Sequence, residues 1–149
     1  MKVTVVIRPT EQTDKEKVTP LMSEYIVDFY KRPRPSVEKV HRLIDILVEQ
    51  KDGIQYVAEV SGELVGFATL YFTFNTTRAD KITVMNDLYV IERFRGTGVA
   101  QKLFKTCEQY SKENDYAHMA WITATDNHRA QRFYEKMGGV RGDWLNYTI

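Results

Sequence analysis

An α/β domain built around a mixed sheet is predicted by three features of the sequence. Strand-like and helix-like runs alternate along the chain, several strand-like runs follow one another in its middle, and a glycine-bearing turn, RGTGVA at residues 95–100, joins a strand-like run to a helical one. Elements ordered in this way bury their apolar faces by packing helices on a mixed sheet. The 149 residues are read as one domain, 1–149, a length that buries about two-thirds of the unfolded surface.

The elements follow in order. VTVVIR, residues 3–8, reads as a strand. Val18, Leu21, Met22, Tyr25, Ile26 and Phe29 recur at steps of three and four and form one face of a helix, which Pro20 is expected to end or kink in its first turns. The prolines of KRPRPS, residues 31–36, separate that helix from a second one marked by Val37, Val40, Ile44, Leu47 and Val48. IQYVAEV and ELVGFATLYFTFN, on either side of Ser61-Gly62, read as a β-hairpin. ITVMNDLYVI, residues 82–91, is a further strand, and Val99, Leu103, Phe104, Cys107 and Tyr110 mark a third helix. HMAWITA, residues 118–124, is a strand parallel to the one before the third helix, reached by a right-handed crossover. Ala130, Phe133, Tyr134 and Met137 mark a fourth helix, with Gly138-Gly139 as its C-cap, and WLNYTI, residues 144–149, is read as a last strand.

Composition narrows the function classes. The chain is 43% hydrophobic and 28% charged with a net charge of +1, which argues against binding nucleic acid through a broad basic surface. A single cysteine, Cys107, allows no internal disulfide and suits a reducing compartment. The first residues lack the apolar stretch of a signal peptide, and the longest apolar run, residues 64–74, is too short for a membrane helix. The expectation is a soluble cytoplasmic protein without nucleic-acid or membrane partners. His41, His118 and His128 are scattered without a second ligand at metal spacing, so no metal site is expected, and Cys107 falls on an apolar helix face as a buried, inert thiol.

The turn at residues 95–100 carries the chemistry. A helix start presents backbone N–H groups without intrahelical partners and the positive end of the helix dipole, and together they form a site for phosphate or pyrophosphate. Gly96 and Gly98 permit close approach of an anion, and Arg93 and Arg95 add charge nearby. On the glycines alone, a tight turn serves as well. The Walker pattern is not met because no lysine follows Gly98, and the dinucleotide fingerprint is not met because Gln101 occupies its third small position.

The stretch NDLYVIERFRGTGVAQKLF resembles the central motif of the GNAT superfamily of N-acetyltransferases, Arg/Gln-x-x-Gly-x-Gly/Ala, through Arg95, Gly98 and Ala100. Downstream, TDNHRAQRFYEKMGG is similar to that family's second motif through Asn127, Ala130, Phe133, Tyr134 and Gly138. The resemblance spans essentially the whole chain and implies a mostly antiparallel sheet with flanking helices, in which the strand before the turn splays from the next, parallel strand. It implies acetyl-CoA as co-substrate, the pantetheine arm lying in the gap along the backbone of Leu88, Tyr89 and Val90, and the pyrophosphate on Arg95, Gly96, Thr97, Gly98, Val99 and Ala100. One N–H of that strand would polarise the thioester carbonyl. NDLYV and the tail RFYEKMGGVRGDWLNYTI are also similar to the diamine- and histone-acetylating branch, which carries Glu where this chain has Asn86.

The implied reaction is acetyl transfer to an amine by direct attack, catalysed by an acyltransferase. Tyr134 is the candidate general acid, which the resemblance sets beside the coenzyme sulfur; helical spacing alone makes it a core aromatic. Asn127 either bonds the pantetheine arm, together with Ala130 and Phe133 around the coenzyme, or caps the fourth helix, where Asp126 competes for the cap. Asp87 either binds or deprotonates the amine or is a hydrogen-bonded structural carboxylate. Glu24 and Asp28 read as a solvated face, and Tyr25, Tyr30 and Tyr71 as core aromatics, with an acceptor pocket as the other reading of all five. A small-molecule amine, polyamine-like first, is the expected acceptor. A protein or peptide N-acetyltransferase and a non-catalytic acyl-CoA sensor stand as alternatives. Trp144, Leu145 and Tyr147 are large for a terminal strand, which either packs in the monomer or joins a partner's sheet. A homodimer is expected.

Overall fold

The structure is a computed structural model that describes residues 4–149. Five strands lie in the order β1-β2-β3-β4-β5. They are β1 (Val6–Pro9), β2 (Gly53–Val60), β3 (Glu63–Asn75), β4 (Asp80–Val90) and β5 (Met119–Ala120). The first four form an antiparallel meander, and β5 runs parallel to β4. The expected first strand forms from residue 6, and its Val3 lies outside the described residues.

Helices cover both faces. On one side lie α1 (Lys15–Ser23), the segment Glu24–Phe29 that continues it, and α2 (Val37–Glu49), whose Val18, Leu21, Met22, Tyr25, Val40 and Ile44 bury against Val57, Phe67 and Tyr89 of the sheet. On the other lies α3 (Val99–Glu113), whose Val99, Leu103, Phe104 and Cys107 bury against Ala68, Leu70, Met85 and Val90. The fourth helix, α4 (His128–Lys136), packs on α3 through the edge-on contact of Phe133 with Phe104, ring centroids 6.2 Å apart. Residues chosen for a stripe every three to four positions thus form the two cores.

Local signals set most boundaries. Ser36 Oγ accepts from Lys39 N–H at 3.2 Å and starts α2. Ser61 and Gly62, at φ 49° and 81°, make the hairpin turn with the left-handed backbone that matches strand twist. Gly139 N–H donates to Tyr134 C=O at 2.8 Å and closes α4.

Three expectations are corrected. Pro20 sits inside α1 without ending it; the helix instead loosens after Ser23 into a π-helical segment, Glu24–Phe29, whose wide turn closes with Tyr30 N–H on Tyr25 C=O at 3.1 Å. Burial of Val18, Leu21, Met22 and Tyr25 outweighs the one hydrogen bond the proline forfeits. The strand expected over residues 118–124 is reduced to Met119–Ala120, and residues 144–149 form no strand. A strand needs an edge to pair with, and the tail lies against none: Trp144, Leu145 and Tyr147 are at least 80% exposed.

The N-terminal elements are tied together by one carboxylate. The Arg8 guanidinium donates from both terminal nitrogens to Asp14 at 2.7 and 2.9 Å and from Nε to Glu59 at 3.1 Å, while Glu11 N–H donates to Asp14 at 2.7 Å. Asp14 is 6% exposed, so β1, β2 and the start of α1 converge on a nearly buried charge pair. The Arg8 hydrogen bonds hold the Asp14 carboxyl below its ordinary value against the opposing effect of burial. A depressed carboxyl stabilises the fold above the unfolded carboxylate pKa and ceases to do so as pH falls through the folded one. Asp14→Asn is therefore expected to cost about 2 kcal/mol at neutral pH. That difference should shrink as pH drops below about 4, as read by urea melts across pH.

Candidate active site

The site begins with the two edges of β4. One edge pairs with β3 along its whole length. The other meets β5 only at Thr83–Met119 and Val84–Ala120, with Thr83 N–H on His118 C=O and Ala117 N–H on Lys81 C=O beside them. Beyond, from Met85 to Val90, β5 has diverged, and among the described residues the only group bonded to this edge is Arg95 Nε, 3.0 Å from Val90 C=O. The gap exposes strand-like backbone at Leu88 and Val90, whereas the Tyr89 backbone, expected to face it too, is turned to Phe67 of β3 by the ladder alternation that Ile91 N–H on Val65 C=O fixes.

β4 also carries a bulge. Leu70 pairs with Met85 and Thr69 with Asp87, so Asn86 is an extra residue on the β4 side. Side-chain alternation therefore resets. Met85, Leu88 and Val90 all join the core beneath α3, while Tyr89 joins the core beneath α1 and α2. Asp87 is placed on the α1 side with Tyr89, opposite Thr69.

At the C-terminal end of β4 the chain forms a short 3-10 turn, Glu92–Phe94, and then the glycine turn. Gly98 is the N-cap of α3 at φ 92° and Gly96 has φ 78°, a conformation that residues with a Cβ resist. A Cβ at either would meet nothing within 4 Å, so the turn is open to solvent above its backbone. Among the described residues no carbonyl accepts from Gly96, Thr97 or Gly98 N–H. Thr97 Oγ1 donates to Phe94 C=O at 2.5 Å and braces the loop. These amides and the start of α3 offer an anion site without a side-chain cap. The two arginines differ. Arg95 turns back to Val90 C=O with its guanidinium 5.8 Å from the Tyr89 ring centre, whereas Arg93 is paired with Glu63 and lies on Phe94.

Around the gap the candidate groups take distinct positions. Tyr134 is half-buried on the α3–α4 side, its ring 5.4 Å from Trp121 and 6.4 Å from Phe104. Burial, with Tyr30 as a lesser cause, pushes its phenol up to about 12, so it stays protonated at neutral pH. Asn127 Oδ1 accepts from Ala130 N–H at 3.1 Å and is the cap of α4, which leaves its Nδ2 without an acceptor among the described residues. Asp126 does not cap. Phe133 is packed against Phe104 and Tyr134, and Ala130 is half-buried beside the cap.

On the α1 side, Asp87 is half-buried, and Asn86 Nδ2 donates to its Oδ1 at 3.1 Å. Desolvation raises its carboxyl above the ordinary value, opposed by Tyr25, Thr69 and Asn86. Burial and the nearby Asp87 push Tyr71 up to about 12, and Tyr25 is raised further by the same causes. The rings of Tyr25 and Tyr30 stand edge to face at 5.0 Å, and Phe29 and Tyr89 complete the cluster. Glu24, read from sequence as a solvated side chain, accepts from Tyr89 OH at 2.5 Å, whereas Asp28 is exposed. Cys107 is fully buried and its thiol is pushed up to about 12 by burial, which leaves no nucleophile there. Among the described residues no three His, Cys, Asp or Glu side chains gather as a metal site, and no helix is long and apolar enough to cross a membrane.

Comparison with known proteins gives a consistent answer. The profile of the acetyltransferase (GNAT) family matches residues 19–139. The chain is 31% identical over 136 residues to D-amino-acid N-acetyltransferase HPA3 of Saccharomyces cerevisiae, covering 89% of this chain and 83% of that one. Among solved structures it is similar to a probable acetyltransferase at TM-score 0.84 and 27% identity, over 97% of this chain and 96% of that chain. It shares its fold with aminoglycoside N-acetyltransferase AAC(6')-Iy in complex with CoA, at TM-score 0.84 and 16% identity over 100% and 96% of the two chains.

The turn geometry has a measurable consequence. Gly98→Ala adds a Cβ into open space but at a left-handed φ, so it should cost about 1 kcal/mol of stability. Its methyl would stand above the bare amides, so affinity for coenzyme A, measured by isothermal titration, should fall at least about tenfold. Unchanged affinity would make the turn purely structural.

Proposed function

Because the chain belongs to the acetyltransferase (GNAT) family and so moves an acetyl group to an amine, we propose that its donor is acetyl-CoA and its acceptor a small cationic primary amine, polyamine-like in character. The observation that carries this reading is Asp87, a half-buried carboxylate at the edge of the β4–β5 gap. It takes part in none of the ion pairs among the described residues. A desolvated carboxylate flanked by tyrosines and lacking a cation is complementary to an ammonium group.

The residues present fit the donor. The free edge of β4 offers Leu88 and Val90 backbone groups, on either side of Tyr89, to the amides of a pantetheine arm as a neighbouring strand would. One of these N–H groups, aimed into the gap, stabilises charge on the thioester oxygen. Gly96, Thr97, Gly98, Val99 and Ala100 take the pyrophosphate at the start of α3, with the Arg95 charge held alongside. Asn127 caps α4 with its oxygen and donates to the arm with its nitrogen, so the two sequence readings of that residue are compatible.

Asp87 receives a proton from the ammonium, directly or through water. Its raised pKa makes it a stronger base than an ordinary carboxylate. The free amine attacks the thioester carbon, the nitrogen gives up its second proton to water as the amide forms, the carbon–sulfur bond breaks, and the thiolate leaves beside Tyr134. A phenol held at about 12 is less acidic than a thiol of ordinary pKa near 8.5. Tyr134 therefore serves first as a hydrogen-bond donor to the developing thiolate and completes the transfer only as sulfur gains charge. A carboxylated acceptor is the second reading, favoured by the name of the yeast relative. An amino acid would bring its own anion next to Asp87 and Glu24.

We also infer a homodimer. Val140, Trp144, Leu145, Tyr147 and Ile149 are at least 80% exposed, an apolar surface with strand-forming sequence and no strand to pair with. A second copy offers the same segment in return. Sedimentation equilibrium should give a dimer for the intact chain and a monomer once residues 144–149 are removed. A monomeric intact chain overturns the inference.

The function is tested by acetyl-CoA titration and a thiol-release assay with spermidine, spermine, D-amino acids and short peptides. Turnover confined to the polyamines supports the reading; turnover confined to amino acids or peptides replaces it. Tyr134→Phe is expected to lower kcat about 100-fold while leaving acetyl-CoA affinity within about twofold. Asp87→Asn should chiefly raise the amine KM and abolish the acidic limb of the kcat/KM profile, which in the wild type should lie above the ordinary carboxylate range. Equal turnover by wild type and Tyr134→Phe would make that tyrosine structural.

A further inference from the structure

One buried group is left over by the mechanism above. Thr69 lies on β3 and is 1% exposed, yet its hydroxyl oxygen has no hydrogen-bond partner among the described residues. A buried hydroxyl without a partner costs the fold its desolvation with nothing in return. Native proteins carry few such groups, and those they keep call for an explanation in function. His118 Nδ1 is in the same condition, but it lies at the far end of β4, beside the pairing with β5. Thr69 instead stands opposite Asp87, the acceptor candidate.

Its position is specific. Strand alternation puts Thr69 on the face of β3 occupied by Phe67, away from the core beneath α3 that holds Ala68 and Leu70. Across the ladder its partner is Asp87, which the bulge at Asn86 brings to this same face. Thr69 is close enough to help hold down the Asp87 charge, but it stands outside hydrogen-bonding geometry to the carboxylate. Tyr25, reaching in from the helical layer, is another group acting on Asp87, and Tyr71 lies within reach of its charge. The result is a carboxylate and two hydroxyls converging on one place, with Asn86 occupying one carboxylate oxygen. Each carboxylate and hydroxyl oxygen there can accept a hydrogen bond, and among the described residues no cationic side chain is paired with Asp87. The complement is a primary ammonium, which brings positive charge and three N–H donors.

Resting on the function proposed above, we propose that Thr69 is an acceptor-binding residue: its Oγ1 takes one N–H of the substrate's primary ammonium while Asp87 and Tyr25 take the others. The hydroxyl is then kept for binding and not for folding. Three fixed oxygens match three N–H bonds, so the subsite favours a primary ammonium over its methylated counterparts, which leave an oxygen unpaired.

A near-isosteric substitution separates this role from a structural one. Thr69→Val removes the hydroxyl and keeps the shape, and Thr69→Ser keeps the hydroxyl. In the full-length protein Thr69→Val is expected to raise Tm by a few degrees, because an unsatisfied buried hydroxyl is replaced by a methyl. The same variant should raise the spermidine KM about tenfold or more, the value of a hydrogen bond to a charged group. Its acetyl-CoA affinity should be unchanged, and Thr69→Ser should keep the wild-type KM. A Thr69→Val variant with a lower Tm means that the hydroxyl serves the fold, and one with an unchanged spermidine KM means that it does not touch the acceptor; either overturns the proposal. If the wild type itself neither binds nor turns over spermidine, the polyamine-like reading fails. That failure is recognisable because it appears before any variant is made.

Discussion

The structure turns on the two unequal edges of β4. Backbone amides and carbonyls removed from water must find partners, and β3 supplies them along one edge while β5 leaves the other after Val84. Everything that distinguishes the site follows from that divergence. The unpaired stretch from Met85 to Val90 behaves as half of a sheet. The glycine turn at its end continues the same theme with amides that no carbonyl among the described residues accepts from. A ligand with amide groups along its length and an anion at its end would complete both sets of bonds at once.

The bulge at Asn86 gives the same strand a second task. Without the extra residue, strict alternation would send one face of β4 wholly to α3 and the other wholly to α1. With it, Leu88 and Val90 still pack beneath α3 while Asp87 and Tyr89 turn toward Tyr25. Acid and base candidates thereby lie on opposite sides of the sheet, Tyr134 with α3 and α4 and Asp87 with α1, and they approach one another only through the gap. The π-helical segment after α1 widens the helix where Tyr25, Phe29 and Tyr30 gather. Such segments sit disproportionately at functional sites.

Stability and function pull in different directions here. The Arg8–Asp14–Glu59 cluster, remote from the cleft, satisfies its charges with short hydrogen bonds and supports the fold. Around the gap, among the described residues, Asp87 is paired with no cation, the Thr69 hydroxyl has no hydrogen-bond partner and Gly98 holds a left-handed backbone. Each is a local disadvantage to folding, and their concentration in one place is the pattern expected of a binding site held by the rest of the structure.

The sequence by itself determined what local chemistry decides. Apolar periodicity located four helices and the hairpin, Ser36 and Asn127 cap because short polar side chains reach a free N–H, and glycines mark the turns that need positive φ. The family motifs marked the turn at residues 95–100 and Tyr134 as candidates for the same reason: their meaning lies in residues that are neighbours in sequence. Tertiary structure decided what depends on a partner from elsewhere in the chain. Whether Pro20 ended its helix depended on the burial available to Val18 and Met22, and whether residues 121–124 and 144–149 became strands depended on an edge to join. Nothing in the string ELVGFATLYFTFN separates Thr69 from its neighbours as more than a polar residue in an apolar run. Only the register against β4, reset by one extra residue, sets that hydroxyl opposite Asp87, because hydrogen-bond registry between strands is a property of the pair and not of either sequence alone.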